Sequence, residues 1–381
     1  MKITTRISDW LENKWVAPSY GGWLLAAIAL ALFGAATNTM AGWLYVMSGT
    51  IFALLLLGAI LPKRAIDKLQ IRRFAIEPVS AGDELTIELE ISNPTSKAKN
   101  LIQISDILPY VLAEPKQKAI EVIPPKSSDR WSYYCSTTKR GIYQWHEIKL
   151  RSGNPLGLFW CLRSHQIAAK AIVYPQILPL TRCPLVDSIG QDDSIVLQSE
   201  QRYQTASQGL TRALRPYRSG DPMRLIHWRT SARLGEFKVR ELEIITGGQE
   251  VIICLDTNYD WQEETFDRAV TAAASLYFYA HKSQLNVKLW TASNGLLSGK
   301  RAVLETLAGV LPTEDSNSPD LPALPLIWLS QNPASISSLP SGSRYVLFAS
   351  GSSNLASNNN LSGLVITSEQ PLEQELQKYI S

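Results

Sequence analysis

Three oxygen-bearing side chains occupy alternate positions in the segment LDTNYD. They belong to Asp256, Asn258 and Asp260, and they follow the buried-strand pattern EVIICLD. Ligands of open α/β sheets bind where the strands end, and oxygen donors suit a hard cation such as Mg²⁺. The sequence therefore predicts a degenerate magnesium site, which Thr291 and Asp315 could complete. In the alternative interpretation Asp256 caps the following turn, and the other two side chains are solvated.

The second stretch that could do chemistry is RPYRSGDPMRLIHWRTSARLGEFKVRE, residues 215–241, with six arginines and one lysine against three acids. Arginines interleaved with Tyr217 and Trp228 fit nucleic-acid binding. Asp221 and His227 could form a hydrolytic centre with the histidine as base. In a third interpretation the arginines bind acids and backbone carbonyls of this same protein and form a structural clasp.

Charge and residue pairing favour the clasp. Eight of the 37 Lys and Arg residues precede Phe74, which leaves 29 against 31 Asp and Glu in the rest of the chain. The body therefore has no positive excess for a polyanionic partner. A hydrolytic centre at Asp221 and His227 would need a nucleophile on a strained turn and a second carboxylate at a suitable spacing. The sequence shows neither. We expect neither nucleic-acid binding nor enzymatic activity.

Helix boundary signals occur within the same stretch. Asp221 as N-cap, Pro222 at the first helical position and Gly235 at the end predict a helix over Met223–Leu234. Its apolar residues are spread around the helix, so we expect it to lie between layers, with Trp228 packed inside. The segment EFKVRELEII is then a strand that enters an α/β region. The arginines would lie at the junction of two domains.

A long apolar segment near the N-terminus is the strongest signal in the sequence. No Asp, Glu, Lys or Arg occurs from Trp15 to Pro62, and about 20 apolar residues suffice for one membrane crossing. We predict two transmembrane helices, Tyr20–Ala36 and Ala41–Leu61, joined by a turn at Thr37–Thr39. A signal peptide would have a single, shorter apolar run. A buried hairpin of a soluble core is the other alternative.

Basic residues flank this segment on both sides, whereas the predicted turn carries no charge. Basic flanks favour the cytoplasmic side of a membrane. We therefore predict a protein of the bacterial inner or plasma membrane with both termini and all soluble domains in the cytoplasm. The flanking residues are Lys2, Arg6, Lys14, Lys63, Arg64, Lys68, Arg72 and Arg73.

Two folded regions are predicted after the anchor. Period-two alternation and frequent turn residues indicate an antiparallel, Ig-like β-sandwich, and strands alternating with helices indicate a mostly parallel α/β sheet covered on both faces. The fold class is thus multi-domain. We assign residues 1–62 to the membrane anchor, 63–178 to the β-sandwich, 179–246 to a connecting segment with the Arg-rich motif, and 247–381 to the α/β domain.

The Arg-rich motif resembles the signature of a bacterial family known as domain of unknown function 58. The segment GNPLGLFW, Gly153–Trp160, is similar to a second family segment, from which Asn154 and Leu156 depart. The resemblance implies a von Willebrand factor A-like C-terminal domain. Its matching positions are Arg215, Tyr217, Gly220, Asp221, Arg224, Ile226, His227, Trp228, Ser231, Ala232, Arg233, Gly235, Val239, Arg240 and Glu241.

The resemblance also implies partners, because members of that family are associated with MoxR-type AAA+ ATPases that remodel or assemble client proteins. We therefore predict a membrane-anchored, non-enzymatic adaptor with contacts to the lipid bilayer, an AAA+ ATPase and a client. The alternatives are a hydrolase that uses Asp221 and His227, and nucleic-acid binding through the Arg-rich motif. No cofactor is predicted besides Mg²⁺ at the loop of Asp256.

Overall fold

The computed structural model describes residues 16–187, 210–218, 223, 226–243, 250–312, 321–322, 324–349, 362–367 and 370–379. It divides into two units, Met1–Tyr174 and Pro175–Ser381. The first unit contains an N-terminal helical hairpin and antiparallel sheets. The second contains a mostly parallel sheet with helices.

The two N-terminal helices, α1 and α2, are longer than the sequence predicts. Helix α1 spans Tyr20–Thr39 and α2 spans Gly42–Ile66. Both are long and apolar enough to cross a membrane. Thr39 is still helical, and its hydroxyl donates to the carbonyl of Ala35 at 2.8 Å, so the predicted turn at Thr37–Thr39 is wrong. Met40, in the left-handed conformation, makes the turn instead.

Small residues form the contact between the two helices. Ala29 and Ala36 are buried on α1 at seven-residue spacing, and small residues let helix backbones approach closely. The hydroxyl of Ser48 on α2 donates to the carbonyl of Ala29 at 2.9 Å. The large apolar residues face outward, as in helices surrounded by lipid. They include Tyr20, Trp23, Leu30, Phe33, Trp43, Val46, Leu56 and Leu57.

The alternating sequence pattern corresponds to two β-sheets in the first unit. Their first strand, β1, is short. The larger sheet has the order β1-β9-β8-β5-β6, with β3 beside β9, and the smaller has the order β2-β4-β7. All pairs are antiparallel except β3 with β9. The strands are β1 Ala17–Pro18, β2 Gln70–Arg73, β3 Val79–Ser80, β4 Glu84–Asn93, β5 Lys99–Asp106, β6 Lys116–Ile123, β7 Ser127–Ser136, β8 Gly141–Ser152 and β9 Phe159–Tyr174.

Side chains from both sheets form one core. The predicted alternation in β4 is confirmed, because Leu85, Ile87, Leu89 and Ile91 are all fully buried. They share a cluster with Ile102 and other inward residues of the larger sheet. Antiparallel sheets over a common core are therefore established for this unit, as predicted.

The second unit is built on a six-stranded sheet with the order β14-β13-β12-β15-β16-β17. Five strands are parallel, and β14 is an antiparallel edge strand. The elements are β12 Glu250–Leu255, α5 Glu263–Lys282, β13 Asn286–Thr291, β14 Gly295–Leu297, α6 Lys300–Gly309, β15 Leu326–Ser330, β16 Arg344–Phe348, β17 Gly363–Ile366 and α7 Leu372–Leu376. The shorter elements before them are α3 Pro184–Asp187, β10 Leu210–Pro216, α4 Trp228–Leu234 and β11 Lys238–Glu243.

The two faces of this sheet differ. Helices α5, α6 and α7 contribute Phe266, Leu307 and Leu376 to one large core with the sheet. The opposite face carries a small cluster around Trp290 and Trp328. This second face is covered by the 3₁₀ helix Pro333–Ser338, whose Ser335 accepts a hydrogen bond from the indole of Trp328 at 2.9 Å, and not by an α-helix. Helix α3 also packs its buried Leu185 and Val186 into the large core, so part of the predicted connecting segment belongs to this unit.

Candidate functional site

The Arg-rich motif forms a small β-hairpin followed by one short helix. Strands β10 and β11 pair antiparallel in a two-stranded sheet of their own. The amide of Tyr217 donates to the carbonyl of Phe237 at 2.9 Å, and the amide of His227 donates to that of Lys238 at 2.8 Å. The strand predicted in EFKVRELEII is present as β11, and it pairs with β10.

Helix α4 begins five residues later than predicted. Ile226 forms a β-bridge with Val239, so the chain is still extended where the predicted helix is already under way. His227 is the N-cap, because its Nδ1 accepts a hydrogen bond from the amide of Thr230 at 3.2 Å. The prediction of a Met223–Leu234 helix is wrong. Its predicted end is confirmed: Gly235 has φ of 72°, a left-handed C-cap that glycine adopts without steric cost.

Ser231 connects the helix to the hairpin. The side chain is buried, and its Oγ donates to the carbonyl of His227 at 3.1 Å. The same Oγ accepts a hydrogen bond from the amide of Lys238 at 2.9 Å. His227 and Ser231 thus bind backbone groups of their own motif. The clasp that the sequence predicts is one made by arginines, and that clasp stays a prediction.

Apolar side chains of the motif face solvent. Trp228 is 58% exposed, so the prediction that it is packed inside is wrong. Its ring meets that of Phe237 edge-to-face at 6.0 Å, and Tyr217 meets Phe237 at 6.2 Å. We call this surface the aromatic patch. Its members are Tyr217, Trp228 and Phe237, and Met223 and Leu234 of the same motif are also exposed.

Basic residues neighbour the aromatic patch in sequence. Arg218, Arg229 and Arg233 are exposed, and the ammonium of Lys238 lies 3.3 Å from a carboxylate oxygen of Glu236. Arg215 donates to the carbonyl of Pro216 at 3.3 Å. Arg240 and Glu241 lie on β11. The predicted site residues Gly220, Asp221 and Arg224 lie outside the described residues, as does Asp315.

The second candidate site lies at the ends of the parallel strands. Asp256 directly follows β12 and is buried. One carboxylate oxygen accepts from the hydroxyl of Ser330 at 2.7 Å, and the other accepts from the amide of Asn258 at 3.2 Å. Burial raises the pKa of this carboxyl, against smaller opposing effects of the two hydrogen bonds. Asn258 and Asp260 are exposed.

Two threonines lie near this carboxylate in the sheet. Thr291 ends β13 beside Leu255, and its Oγ1 accepts from the amide of Asn294 at 3.3 Å. The buried Oγ1 of Thr257 has no hydrogen-bond partner in the described part of the chain. Ser330 was missed at the sequence level, although a polar residue directly after the apolar strand LIWL is the available signal.

The bonds of Asp256 match the turn-capping alternative, since its carboxylate accepts from the amide two residues later. No group of three or more His, Cys, Asp or Glu side chains able to hold a metal occurs among the described residues. Any ion here would need the hydroxyl and amide oxygens of Ser330, Thr257 and Asn258 as additional donors. Magnesium binding stays a prediction.

Comparison with known proteins bears on both sites. The model of the family "Protein of unknown function DUF58" matches residues 213–315, which include the Arg-rich motif and the loop of Asp256. Over this segment the chain resembles the DUF58 family. This confirms the resemblance at family level. Uncharacterized protein YeaD of Bacillus subtilis is 24% identical over 237 residues, 61% of this chain and 56% of that protein. The match thus spans little more than half of YeaD.

Solved structures resemble only part of this chain. Red sea bream transglutaminase matches 28% of this chain and 15% of its own, with a TM-score of 0.20 and 11% identity. The CARDB domain of PF1109 from Pyrococcus furiosus matches 26% of this chain and 87% of its own, with a TM-score of 0.19 and 10% identity. Similarity at this level supports no functional argument.

Proposed function

We propose that this protein is a membrane-anchored, non-enzymatic adaptor that presents a protein-docking surface in the cytoplasm. The aromatic patch carries the proposal. Exposed aromatic side chains with arginines close in sequence have the composition of protein-binding surfaces. The family resemblance suggests an AAA+ ATPase of the MoxR type as partner, which would act on a client protein.

The N-terminal hairpin supports the anchorage. Helices α1 and α2 expose large apolar residues around most of their surface and touch each other through small ones. A soluble protein would bury such residues, whereas lipid accepts them. The basic residues Lys63 and Arg64 in the last turn of α2 support a cytoplasmic location of that end.

The surroundings of the aromatic patch favour an acidic partner segment. Arg218, Arg229 and Arg233 are exposed near it, against the exposed acid Glu236. A partner segment with apolar anchors and flanking carboxylates would complement both features. The body as a whole is not basic, so the positive charge is a local property of this surface. That distribution favours a protein partner over a nucleic acid.

Finer features of the fold belong to the same proposal. We assign the antiparallel sheets to an Ig-like sandwich that spaces the second unit from the bilayer. The parallel sheet, with a polar loop after its central strand β12, is similar in plan to a von Willebrand factor A domain. In such a domain Asp256 would bind Mg²⁺ as part of the docking site. The hydroxyl of Ser330 would be a further oxygen ligand of the ion.

Affinity purification of the full-length protein in mild detergent tests the proposal. The wild type is compared with a Trp228→Ser/Phe237→Ser variant and with Tyr110→Ser, which removes an exposed aromatic residue of the first unit (92% exposed). We expect an AAA+ ATPase or a client to co-purify with the wild type and with Tyr110→Ser. The double variant should lose it while remaining folded by circular dichroism.

The outcomes separate the alternatives. Co-purification that does not depend on Trp228 and Phe237 would move the docking site elsewhere. No partner above a control that contains only residues 1–66 would refute the adaptor function. Retention of nucleic acid by the wild type, but not by the double variant, would favour the polyanion alternative instead.

A further inference from the structure

The water–hydrocarbon boundary can be located on the hairpin from helix lengths. At about 1.5 Å per residue, Tyr20–Thr39 spans about 30 Å, the thickness of a bilayer's hydrocarbon core. Starting from Gly42, α2 covers the same distance near Pro62, and Lys63 and Arg64 follow at once. Aromatic residues near both ends of the hairpin match the interfacial belts of membrane proteins.

The loop between β8 and β9 lies at this boundary. The amide of Ser19 donates to the carbonyl of Leu158 at 2.8 Å. A Cβ atom on Gly22 would lie only 2.3 Å from that carbonyl oxygen, and one on Gly58 would lie 3.3 Å from the ring of Phe159. The loop therefore touches the beginning of α1 and the end of α2 together. The adjoining strand β9 is thereby held next to the membrane surface.

A pocket of about 180 Å³ opens between the end of α2 and strand β9. Its apolar wall consists of Ile66 and Leu69, which are both buried. Its polar lining contains three basic side chains and one acidic side chain. These are Lys63, Lys68, Arg163 and Asp67, accompanied by Ser164 and His165. We call it the boundary pocket.

The walls of the boundary pocket are fixed by hydrogen bonds. Buried Lys99 on β5 donates its ammonium to the carbonyls of Arg64 at 2.5 Å and Asp67 at 2.9 Å. These bonds satisfy the carbonyls at the C-terminus of α2 and hold its last turn against the larger sheet. On β9, the guanidinium of Arg163 donates to the carbonyl of Leu162 at 2.7 Å. The basic side chains thus line the pocket from two sides, the end of α2 and strand β9.

The size and chemistry of the pocket restrict its ligand. Its volume is below the roughly 300–1,000 Å³ of pockets for drug-sized molecules, but a phosphate group fits. Guanidinium, ammonium and imidazole groups are all donors to phosphate oxygens, whereas the hydroxyl of Ser164 donates to the carboxylate of Glu147 at 3.2 Å. The position beside the last turn of a membrane helix is where basic pockets bind lipid headgroups.

We propose that the boundary pocket binds the headgroup phosphate of an anionic phospholipid. The acyl chains would lie along the exposed apolar surface of α2, and Lys68 and Arg163 would contact the phosphate from the two walls. This proposal rests on the membrane anchorage proposed above. It goes beyond the adaptor function, because it selects the lipids around the protein.

Lipid binding by the full-length protein in detergent tests this proposal. The probe is short-chain phosphatidylglycerol, compared with phosphatidylcholine of equal chain length, with inorganic phosphate as a soluble competitor. We expect at least about tenfold tighter binding of phosphatidylglycerol. A Lys68→Gln/Arg163→Gln variant should lose this preference. The control Lys126→Gln/Lys170→Gln removes two exposed lysines outside the pocket and should keep it.

Each other result overturns the proposal. Equal binding of both lipids, or equal losses in the two double variants, would exclude a headgroup site at this pocket. Equal affinities for inorganic phosphate and for phosphatidylglycerol would assign the pocket to a free anion instead of a lipid. Carbonate extraction of membranes examines the anchorage separately. Release of the protein refutes the anchor, whereas a retained protein without headgroup preference refutes the pocket alone.

Discussion

Replacement of Asp106 by Asn should destabilise the sandwich more than any single surface change in the first unit. Asp106 and Arg73 form an ion pair with side-chain exposures of 0% and 3%. The carboxylate also accepts from the hydroxyl of Tyr133 at 2.6 Å and from the indole of Trp145 at 3.1 Å. Two of these residues lie in each sheet, so the network joins the sheets across the core.

The expected magnitude follows from what remains after the substitution. An asparagine has the shape of the aspartate but no negative charge. The buried guanidinium of Arg73 would then have no counter-ion. Breaking one partner of a buried pair costs about 3–5 kcal/mol. Tyr133→Phe, which removes a single donor, should cost about 1–2 kcal/mol. Burial and the nearby carboxylate both raise the pKa of Tyr133, so its hydroxyl stays protonated and serves as a donor.

Amide hydrogen exchange of the full chain in detergent measures the effect locally. Peptides from β5 and β8 should exchange at least about a hundredfold faster in Asp106→Asn, because each 1.4 kcal/mol is a factor of about ten. Replacing the pair together, as Arg73→Met/Asp106→Leu, should cost less than Asp106→Asn alone. A change below about tenfold in the single variant, or additive losses in the double variant, would refute a charge-based explanation.

Three further predictions concern other parts of the chain. Asp256→Asn should raise the thermal midpoint of the second unit at pH 7.5, because the folded state must otherwise ionise a buried carboxyl whose pKa is raised. This gain should shrink as pH falls towards the ordinary pKa of aspartate, and a pH-independent difference would contradict it. Calorimetric titration with Mg²⁺ should give heat with the wild type and none with Asp256→Ala; equal heats would remove the metal site. Gly22→Ala should expose the loop of Leu158 to protease, because the added Cβ would meet a backbone oxygen at 2.3 Å, whereas Gly34→Ala, with no atom within 4 Å, should not.

Elements with a strong period could be predicted from the sequence. The alternation in β4, the amphipathic helix α5 and the uncharged run of the hairpin all have one dominant pattern, and the structure contains all three. Helix ends were less predictable, because they depend on contacts distant in sequence. Helix α2 continues through Pro62 to Ile66, where Lys99 binds its terminal carbonyls.

The Arg-rich motif was harder to predict because local and tertiary signals conflict there. Asp221 and Pro222 are good helix-start residues, but Ile226 forms a β-bridge with Val239, and the α-helix has His227 as its N-cap. The apolar residues then look like a buried helix by composition, although Trp228 faces solvent. At the loop of Asp256 the sequence indicated the central carboxylate. It could not indicate Ser330, which strand order brings to it from 74 positions away.

The family motif therefore consists of two kinds of residue with different consequences for function. The side chains of His227 and Ser231 form hydrogen bonds within the hairpin and helix, and Gly235 makes the left-handed turn at the end of the helix. Trp228 and Phe237 make no comparable internal contribution, since each leaves more than half of its surface in solvent. Exposed aromatic residues reduce solubility unless another surface covers them. The first set shapes the motif, and the second set is what it has to offer a partner.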